Sequence, residues 1–457
     1  MPRPPRKPRE TRPPREATAG WQSRLAAAEL LHHTLDNNTD LDTALDKSHA
    51  FRRLEGPDRG FARAIAGAGL RGAGRIDYAL GGMLERPIGA LEPEVRAFLR
   101  AGAAQLWMLG VANHAAVSAT VEAACNWREA RQGGGLINAV LRRASREGEA
   151  FRTAPATSVW PDWMAAKLKS ALGAETADAL AELQLEEPAL DLTLKPGLSP
   201  QVWAERLGGV ELANGSVRLE TGVHLTELPG YAEGEWWVQD AAASLAARLM
   251  GDVSGKAVAD LCAAPGGKAM QLAAMGAKLS AIEISKQRVG RLRENAERAK
   301  LAMEIVEQDA RTWRPSEPLD AVLLDAPCSA LGIMRRHPEG IWRRDPKDLA
   351  RFPAIQSALV RAAGEMLKPG GRLVYCVCTP APEEGFDVVE AAIAGGGWRR
   401  VKIGPDETPG FVHALTNDGD VITIPPNRDS KASTVDKIVA EPVKSDVFYI
   451  ARLERVG

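Results

Sequence analysis

One short run, Ala257-Val-Ala-Asp-Leu-Cys-Ala-Ala-Pro-Gly-Gly-Lys268, narrows the possible folds more than any other stretch of the chain. Residues 258–261, Val-Ala-Asp-Leu, are short and mainly apolar and read as a buried strand. Cys262, Ala263, Ala264, Pro265, Gly266 and Gly267 are small and form a tight loop, and Lys268 opens a helical pattern reaching 275. A strand, a glycine loop and a helix start present backbone N–H groups to a ligand with no side chain in the way. That is the ligand-binding corner of a doubly wound α/β domain.

The loop narrows the ligand as well. It lacks the G-x-G-x-x-G spacing of a dinucleotide site. Gly266-Gly267-Lys268 is followed by Ala269, so no hydroxyl is supplied for Mg²⁺ as in a nucleotide-triphosphate loop. The next strand-like run, 278–282, ends at Glu283, and an acid there suits a ribose with free hydroxyls. An adenosine without a polyphosphate is implied, and S-adenosyl-L-methionine fits.

Two further strands carry thiols. Residues 319–324 run into Asp325-Ala-Pro-Cys-Ser329, and residues 371–376 run into Cys376-Val-Cys378-Thr379. Parallel sheets place their ligands at such strand ends. With the glycine loop, these motifs resemble the RNA cytosine-C5 methyltransferases, and within them the ribosomal RNA small subunit methyltransferase B (RsmB/Sun) family. The resemblance is carried mainly by residues 235–385 and to a lesser degree by 20–150.

With 457 residues the chain is long for one core, and two or three domains are expected. Its 58 basic and 59 acidic residues leave a net charge of −1, so an RNA surface must be a local patch. No apolar run reaches membrane-span length and the N-terminus lacks a signal-peptide core, so a cytoplasmic protein without membrane association is expected. Of the five cysteines, Cys125, Cys262, Cys328, Cys376 and Cys378, four lie at strand ends, which favours thiol chemistry over disulfides. No histidine stands at a matching zinc spacing, and no metal is expected.

Taken in order, residues 1–19 are Pro- and Arg-rich and read as a disordered basic tail. Residues 20–150 show helical periodicity and little strand signal, hence an all-α domain. Asp58-Arg59, Phe61-Ala-Arg63, His114-Ala-Ala-Val117 and Asn138-Ala-Val-Leu-Arg142 resemble the NusB-like RNA-binding domain that precedes the catalytic domain in this family. That resemblance makes Arg59 and Arg63 candidate RNA contacts. Asn113 and Ser118 replace the family's usual Pro and Asn. Residues 151–235 read as a small α+β connector. Residues 236–457 read as the Rossmann-like S-adenosylmethionine-dependent methyltransferase domain, led in by Trp236-Trp-Val-Gln-Asp240. Ser285 caps a helix expected over 286–300, and a strand at 305–308 ends in Asp309, which in the family receives the adenine amino group. Arg335, Arg336, Arg343 and Arg344 follow the Asp325 motif and suit a phosphodiester backbone. Closing strands are expected near 398–403 and 447–453, with a mobile loop over 425–445.

The chemistry of cytosine C5 explains why thiols are needed. That carbon is a poor nucleophile until a thiolate adds to C6, which is covalent catalysis and calls for a cysteine of lowered pKa. Either Cys328, in a Pro-Cys motif, or Cys378 could attack. The resemblance to the RNA enzymes assigns attack to Cys378, release of the product to Cys328, and the N3 or N4 edge of the base to Asp325. Val377 and Thr379 depart from the family's Thr-Cys-Ser. Cys376, two residues before Cys378, reads as a buried small residue. The implied partner is RNA, with 16S rRNA the family substrate; tRNA or large-subunit rRNA is the alternative. No obligate protein partner is implied and a monomer is expected. A non-catalytic RNA-binding or antitermination-type factor is a second reading. An amino-group methyltransferase would carry Asn/Asp-Pro-Pro-Tyr where Asp325-Ala-Pro-Cys328 stands.

Overall fold

The computed structural model describes residues 20–425 and 443–457. The tail expected over 1–19 lies outside the described residues, as does most of the expected 425–445 loop. The chain divides into two compact units, 1–154 and 155–457.

The first unit is all helical among its described residues. Its main helices are α1 (Trp21–Leu35), α2 (Leu41–Lys47), α3 (His49–Arg52), α4 (Gly56–Arg71), α5 (Ala73–Gly81), α6 (Pro93–Trp107), α7 (Asn113–Cys125), α8 (Gly134–Ala144) and α9 (Glu149–Arg152). Alanines alternate with Leu30, Leu31, Ile65, Phe98 and Leu99 in a fully buried core, so the helices approach closely. Arg24 crosses that core to Gln105 at 2.8 Å, and Gln105 donates to Thr120 at 3.1 Å, which ties α1, α6 and α7 by a satisfied buried chain. Asp40 and Ser48 cap α2 and α3 by accepting from the N–H groups of Thr43 and Phe51.

The second unit begins with α10 (Asp162–Leu172) and α11 (Ala174–Leu185). A four-stranded antiparallel sheet follows, built from β1 (Leu190–Leu194), β2 (Val210–Glu211), β3 (Val217–Leu219) and β4 (Trp236–Val238) in the order β2-β3-β1-β4, with α12 (Pro200–Leu207) between its first two strands. Trp236 and Trp237 are buried, and β4 pairs with β1, so this run completes the connector sheet before leading into the next helix.

The large sheet is made of β5 (Ala257–Leu261), β6 (Lys278–Glu283), β7 (Glu304–Glu307), β8 (Leu319–Asp325), β9 (Leu367–Val377), β10 (Trp398–Arg400), β11 (Val421–Ile422) and β12 (Tyr449–Arg455). Its order is β10-β12-β9-β8-β5-β6-β7, with β11 on β12. Strands β5 to β9 run parallel, and β12 joins β9 antiparallel. The Ala- and Leu-rich helices α13 (Ala241–Arg248) and α14 (Gly267–Ala274) cover one face. Helices α18 (Phe352–Met366) and α19 (Phe386–Ala394) cover the other. Between these lie α15 (Lys286–Arg298), α16 (Glu339–Arg343) and α17 (Pro346–Leu349). Helix α15 ends before the expected 300, where Lys300 takes a left-handed conformation (φ 51°). The chain winds outward from β5 to β7, returns to β8 on the other side of β5, and winds the other way. The order therefore reverses between β5 and β8, which is where such sheets bind ligands. In register, Leu261 lies beside both Ile282 and Leu324, and Asp325 beside Cys376. The residues that follow β5, β6, β8 and β9 thus open on one rim.

Candidate active site

The glycine loop is stapled to its neighbours through its backbone. Cys262 leaves β5 with φ 65°, and Ala263 N–H donates to Ile282 O at 3.0 Å. Gly266, at φ 114°, turns the chain into α14; a Cβ there would stand 2.7 Å from a Leu292 methyl. Asn295 donates to Pro265 O at 2.9 Å, and Arg288 donates to Ala264 O. Glu283 is only 1 % exposed. Its carboxylate accepts from the N–H of Ala264 (3.3 Å) and of Ser285 (3.0 Å) and pairs with Arg288 at 3.1 Å. Glu283 therefore braces the loop. Next to it Ile284 is 63 % exposed, an apolar surface at the β6 end that periodicity on either side had not singled out. Asp309 is held by the backbone and guanidinium of Arg311, whose hydrogen bonds keep its carboxyl below the usual range.

The cysteine-bearing side of the rim lies at the ends of β8 and β9. Lys268, at the start of α14, reaches Asp325 at 2.7 Å and stands 5.1 Å from the Phe448 ring centroid. Burial alone would lower the Lys268 pKa, but the Asp325 carboxylate more than offsets that and holds it protonated. Cys376, fully buried, donates its S–H to the other Asp325 oxygen at 3.6 Å. It is a partner of Asp325 as well as a filler of the core. Asp260, on β5, is 1 % exposed and neither of its oxygens has a hydrogen-bond partner among the described residues. Burial, then Asp325, push its carboxyl well up.

Cys328 and Cys378 lie sulfur to sulfur at 3.3 Å. The lowered thiol pKa expected from the chemistry is not present in this resting arrangement. The hydrogen bond shared with Cys328 and burial push Cys378 well above the ordinary thiol value, and Lys268 pulls against them. Gly332 N–H donates to Cys378 O at 3.0 Å, and Val447 N–H donates to Gly332 O at 2.9 Å. The segment after Cys328 is thereby joined both to Cys378 and to the chain entering β12. Its apolar side chains Leu331, Met334 and Ile341 pack against Met164 and Leu168 of α10.

The expected phosphate-binding arginines divide. Arg335 and Arg336 do not face outward, which corrects their assignment. Arg335 is 6 % exposed and donates to Asp446 at 2.8 Å. Arg336 donates to Asp446, to Asp240 at 2.6 Å and to Ala189 O at 3.1 Å. These guanidiniums tie the segment after Cys328 to the connector and to the approach to β12. Arg343 is exposed and Arg344 half-buried beyond them. In the first unit Arg59 and Arg63 are exposed, with Arg59 over the Phe51 ring at 4.4 Å.

Comparison with known proteins places this geometry. The model of a family described as 16S rRNA methyltransferase RsmB/F matches residues 248–454, and that of the NusB family matches 21–146. A ribosomal RNA small subunit methyltransferase B of Xanthomonas campestris pv. campestris is 34 % identical over 87 % of this chain and 98 % of its own. The chain belongs to the ribosomal RNA small subunit methyltransferase B family. A second member, from Pseudomonas syringae pv. tomato, is 35 % identical over 81 % of this chain and 86 % of its own. The crystal structure of PH0851 shares the fold with a TM-score of 0.72 at 21 % identity, covering 95 % of this chain and 98 % of that one. As a methyltransferase of this family the chain takes S-adenosyl-L-methionine as cofactor. The rim fits that group: the loop of small residues 262–267 lies where the strand order reverses, Ile284 offers an apolar surface, and the buried carboxyl of Asp260 has no hydrogen-bond partner among the described residues.

Proposed function

We propose that the chain methylates C5 of a cytosine in 16S rRNA through a covalent bond between Cys378 and C6 of the base. The observation that carries this reading is the 3.3 Å contact of Cys328 and Cys378 beside Asp325, at the ends of neighbouring parallel strands. Residues 262–268, with Glu283, Ile284 and Asp309, would hold the cofactor, which when bound supplies an electrophilic methyl carbon. Cys378 gives up its proton, which Asp325 relays to N3, as its sulfur pair adds to C6. The C5–C6 π pair moves to C4–C5, the C4–N3 π pair takes the proton at N3, and the resulting enamine makes C5 a nucleophile. Once methylated, C5 still carries its original proton. Cys328, as its thiolate, assists release by taking it and becomes the thiol. The C5–H pair re-forms the C5–C6 double bond, the C6–sulfur bond breaks, its electrons return to Cys378, and N3 gives up its proton. Lys268 keeps Asp325 in place and offsets the negative charge that develops at the sulfurs. A base in a stacked or paired region must leave the stack to meet these groups. Arg343 and Arg344, with Arg59 and Arg63 of the helical unit, are the proposed phosphate contacts.

Methyl transfer from labelled cofactor to an unmodified 16S rRNA transcript, with denaturing gels to reveal protein–RNA adducts, tests the reading. Cys378→Ala is expected to abolish transfer, and Cys328→Ala to accumulate a covalent adduct. Turnover that survives Cys378→Ala would refute it. Bisulfite sequencing of rRNA from cells with and without the gene identifies the base.

A further inference from the structure

A buried polar cluster behind the two cysteines has no part in the chemistry described above. Glu384 sits in the turn between Cys378 and α19 and is 1 % exposed. One of its carboxylate oxygens accepts from the backbone N–H of Ser329 at 2.7 Å and from the side-chain amide of Gln356 at 3.2 Å. The same amide of Gln356 donates to Pro327 O at 2.9 Å. The backbone groups on both sides of Cys328 are therefore held by one carboxylate–amide pair. A second link runs to the other cysteine: the Ser329 hydroxyl donates to Thr379 Oγ1 at 3.0 Å, and Thr379 follows Cys378 directly. Ser329, Gln356 and Thr379 are all fully buried. Tyr375 donates its hydroxyl to Glu384 O, which anchors the turn to β9.

Strand pairing alone does not account for the sulfur contact. Cys378 lies just past the last residue of β9, and Cys328 lies three residues past the end of β8. Both thiols are on loops, and fully desolvated hydrogen bonds are what hold those loops in register. We propose that Glu384, seated by Gln356, is a positioning residue that sets Cys328 against Cys378 and so governs release of the methylated base. This rests on the covalent mechanism proposed above. Glu384 acts on Cys328 through Ser329 and Pro327, so its loss affects the step in which Cys328 takes the C5 proton more than the attack by Cys378. The carboxylate serves as an acceptor of two N–H donors, a task a neutral amide oxygen can also perform. Burial pushes the Glu384 carboxyl up, in keeping with a group whose use is hydrogen bonding rather than charge.

The test uses the full chain, an unmodified 16S rRNA transcript and labelled cofactor, with Glu384→Leu, Gln356→Leu and Glu384→Gln variants. Glu384→Leu is expected to keep single-turnover methyl transfer within about threefold, to lower steady-state turnover by about tenfold to a hundredfold, and to trap RNA–protein adduct as Cys328→Ala does. Gln356→Leu is expected to show the same partition more weakly, and Glu384→Gln to restore turnover and clear the adduct. A measurement independent of RNA is the affinity of the thiol pair for phenylarsine oxide, which bonds two thiols at one arsenic with release of water. Glu384→Leu is expected to weaken it about tenfold and Glu384→Gln to leave it near wild type. Wild-type turnover in Glu384→Leu, a proportional fall of both rates without adduct, or failure of Glu384→Gln to rescue would each overturn the proposal. So would wild-type protein that does not bind the arsenical through Cys328 and Cys378. If Glu384→Leu does not fold, Gln356→Leu and Glu384→Gln decide it by the same readouts. Absence of adduct in Cys328→Ala would instead count against the covalent mechanism, leaving the arsenical result to judge the positioning.

Discussion

A thiol that shares a hydrogen bond with a second thiol, and lies near a carboxylate, is a reluctant acid. Cys378 is held above its ordinary pKa chiefly by the bond it shares with Cys328 and by burial. If Cys378 attacks as proposed, kcat/KM should climb about tenfold per pH unit through the neutral and mildly alkaline range, because the reactive thiolate is the minor form there. Lys268 is the cation that opposes this shift. Lys268→Met should lower kcat/KM at neutral pH by roughly tenfold or more and move the alkaline limb to higher pH, in a pH–rate profile taken at saturating cofactor. A profile unchanged by the substitution would mean that Lys268 does not tune the thiol. At this scale the sequence was legible where short motifs carry their own chemistry: Cys328, Cys378, Asp325 and the glycine loop all reach one rim. It was not legible at Arg335 and Arg336. Their partner Asp446 lies more than a hundred residues away, and a basic pair in a loop looks the same whether it meets phosphate or a buried carboxylate.

Among the elements, the β5 loop and α14 depend on one backbone conformation. Gly266 adopts φ 114°, where a side chain is strained, and a Cβ would also meet Leu292. Gly266→Ala should cost about 1–3 kcal/mol in the conformation that receives the cofactor, a loss of roughly tenfold or more in affinity by calorimetry, with little change in helix content by circular dichroism. Unaltered affinity would show that the loop is not the cofactor cradle. The strands β5, β6, β8 and β9 were readable as short, mainly apolar runs, since strands buried on both faces carry such runs. The two-residue β11 carries too little pattern to be read. The Glu384–Gln356 pair was equally hidden, because nothing local distinguishes a glutamate on a solvated turn from one folded beneath the loop that carries Cys328.

Across the second unit, Asp446, Asp240, Arg335 and Arg336 form a buried ion cluster that joins the connector, the segment after Cys328 and the approach to β12. Removing one partner leaves a guanidinium buried without its counter-charge. Asp446→Ala should destabilise this unit by about 3–5 kcal/mol in urea unfolding, whereas exposed pairs such as Arg399–Glu454 should contribute at most about 1 kcal/mol. A drop of less than about 1 kcal/mol for Asp446→Ala would mean that the cluster relaxes into water. The final strand has a consequence of its own. β12 is hydrogen-bonded along β9, Tyr449 against Val377 and Ile450 against Cys376, and Val447 locks Gly332 to Cys378 just before it. It is also made after every other strand of the sheet. On the ribosome, then, β9 lacks this partner until the other strands of the sheet have been made, and a premature stop codon just ahead of Tyr449 should weaken the enzyme without deleting any residue proposed to meet RNA or methyl donor.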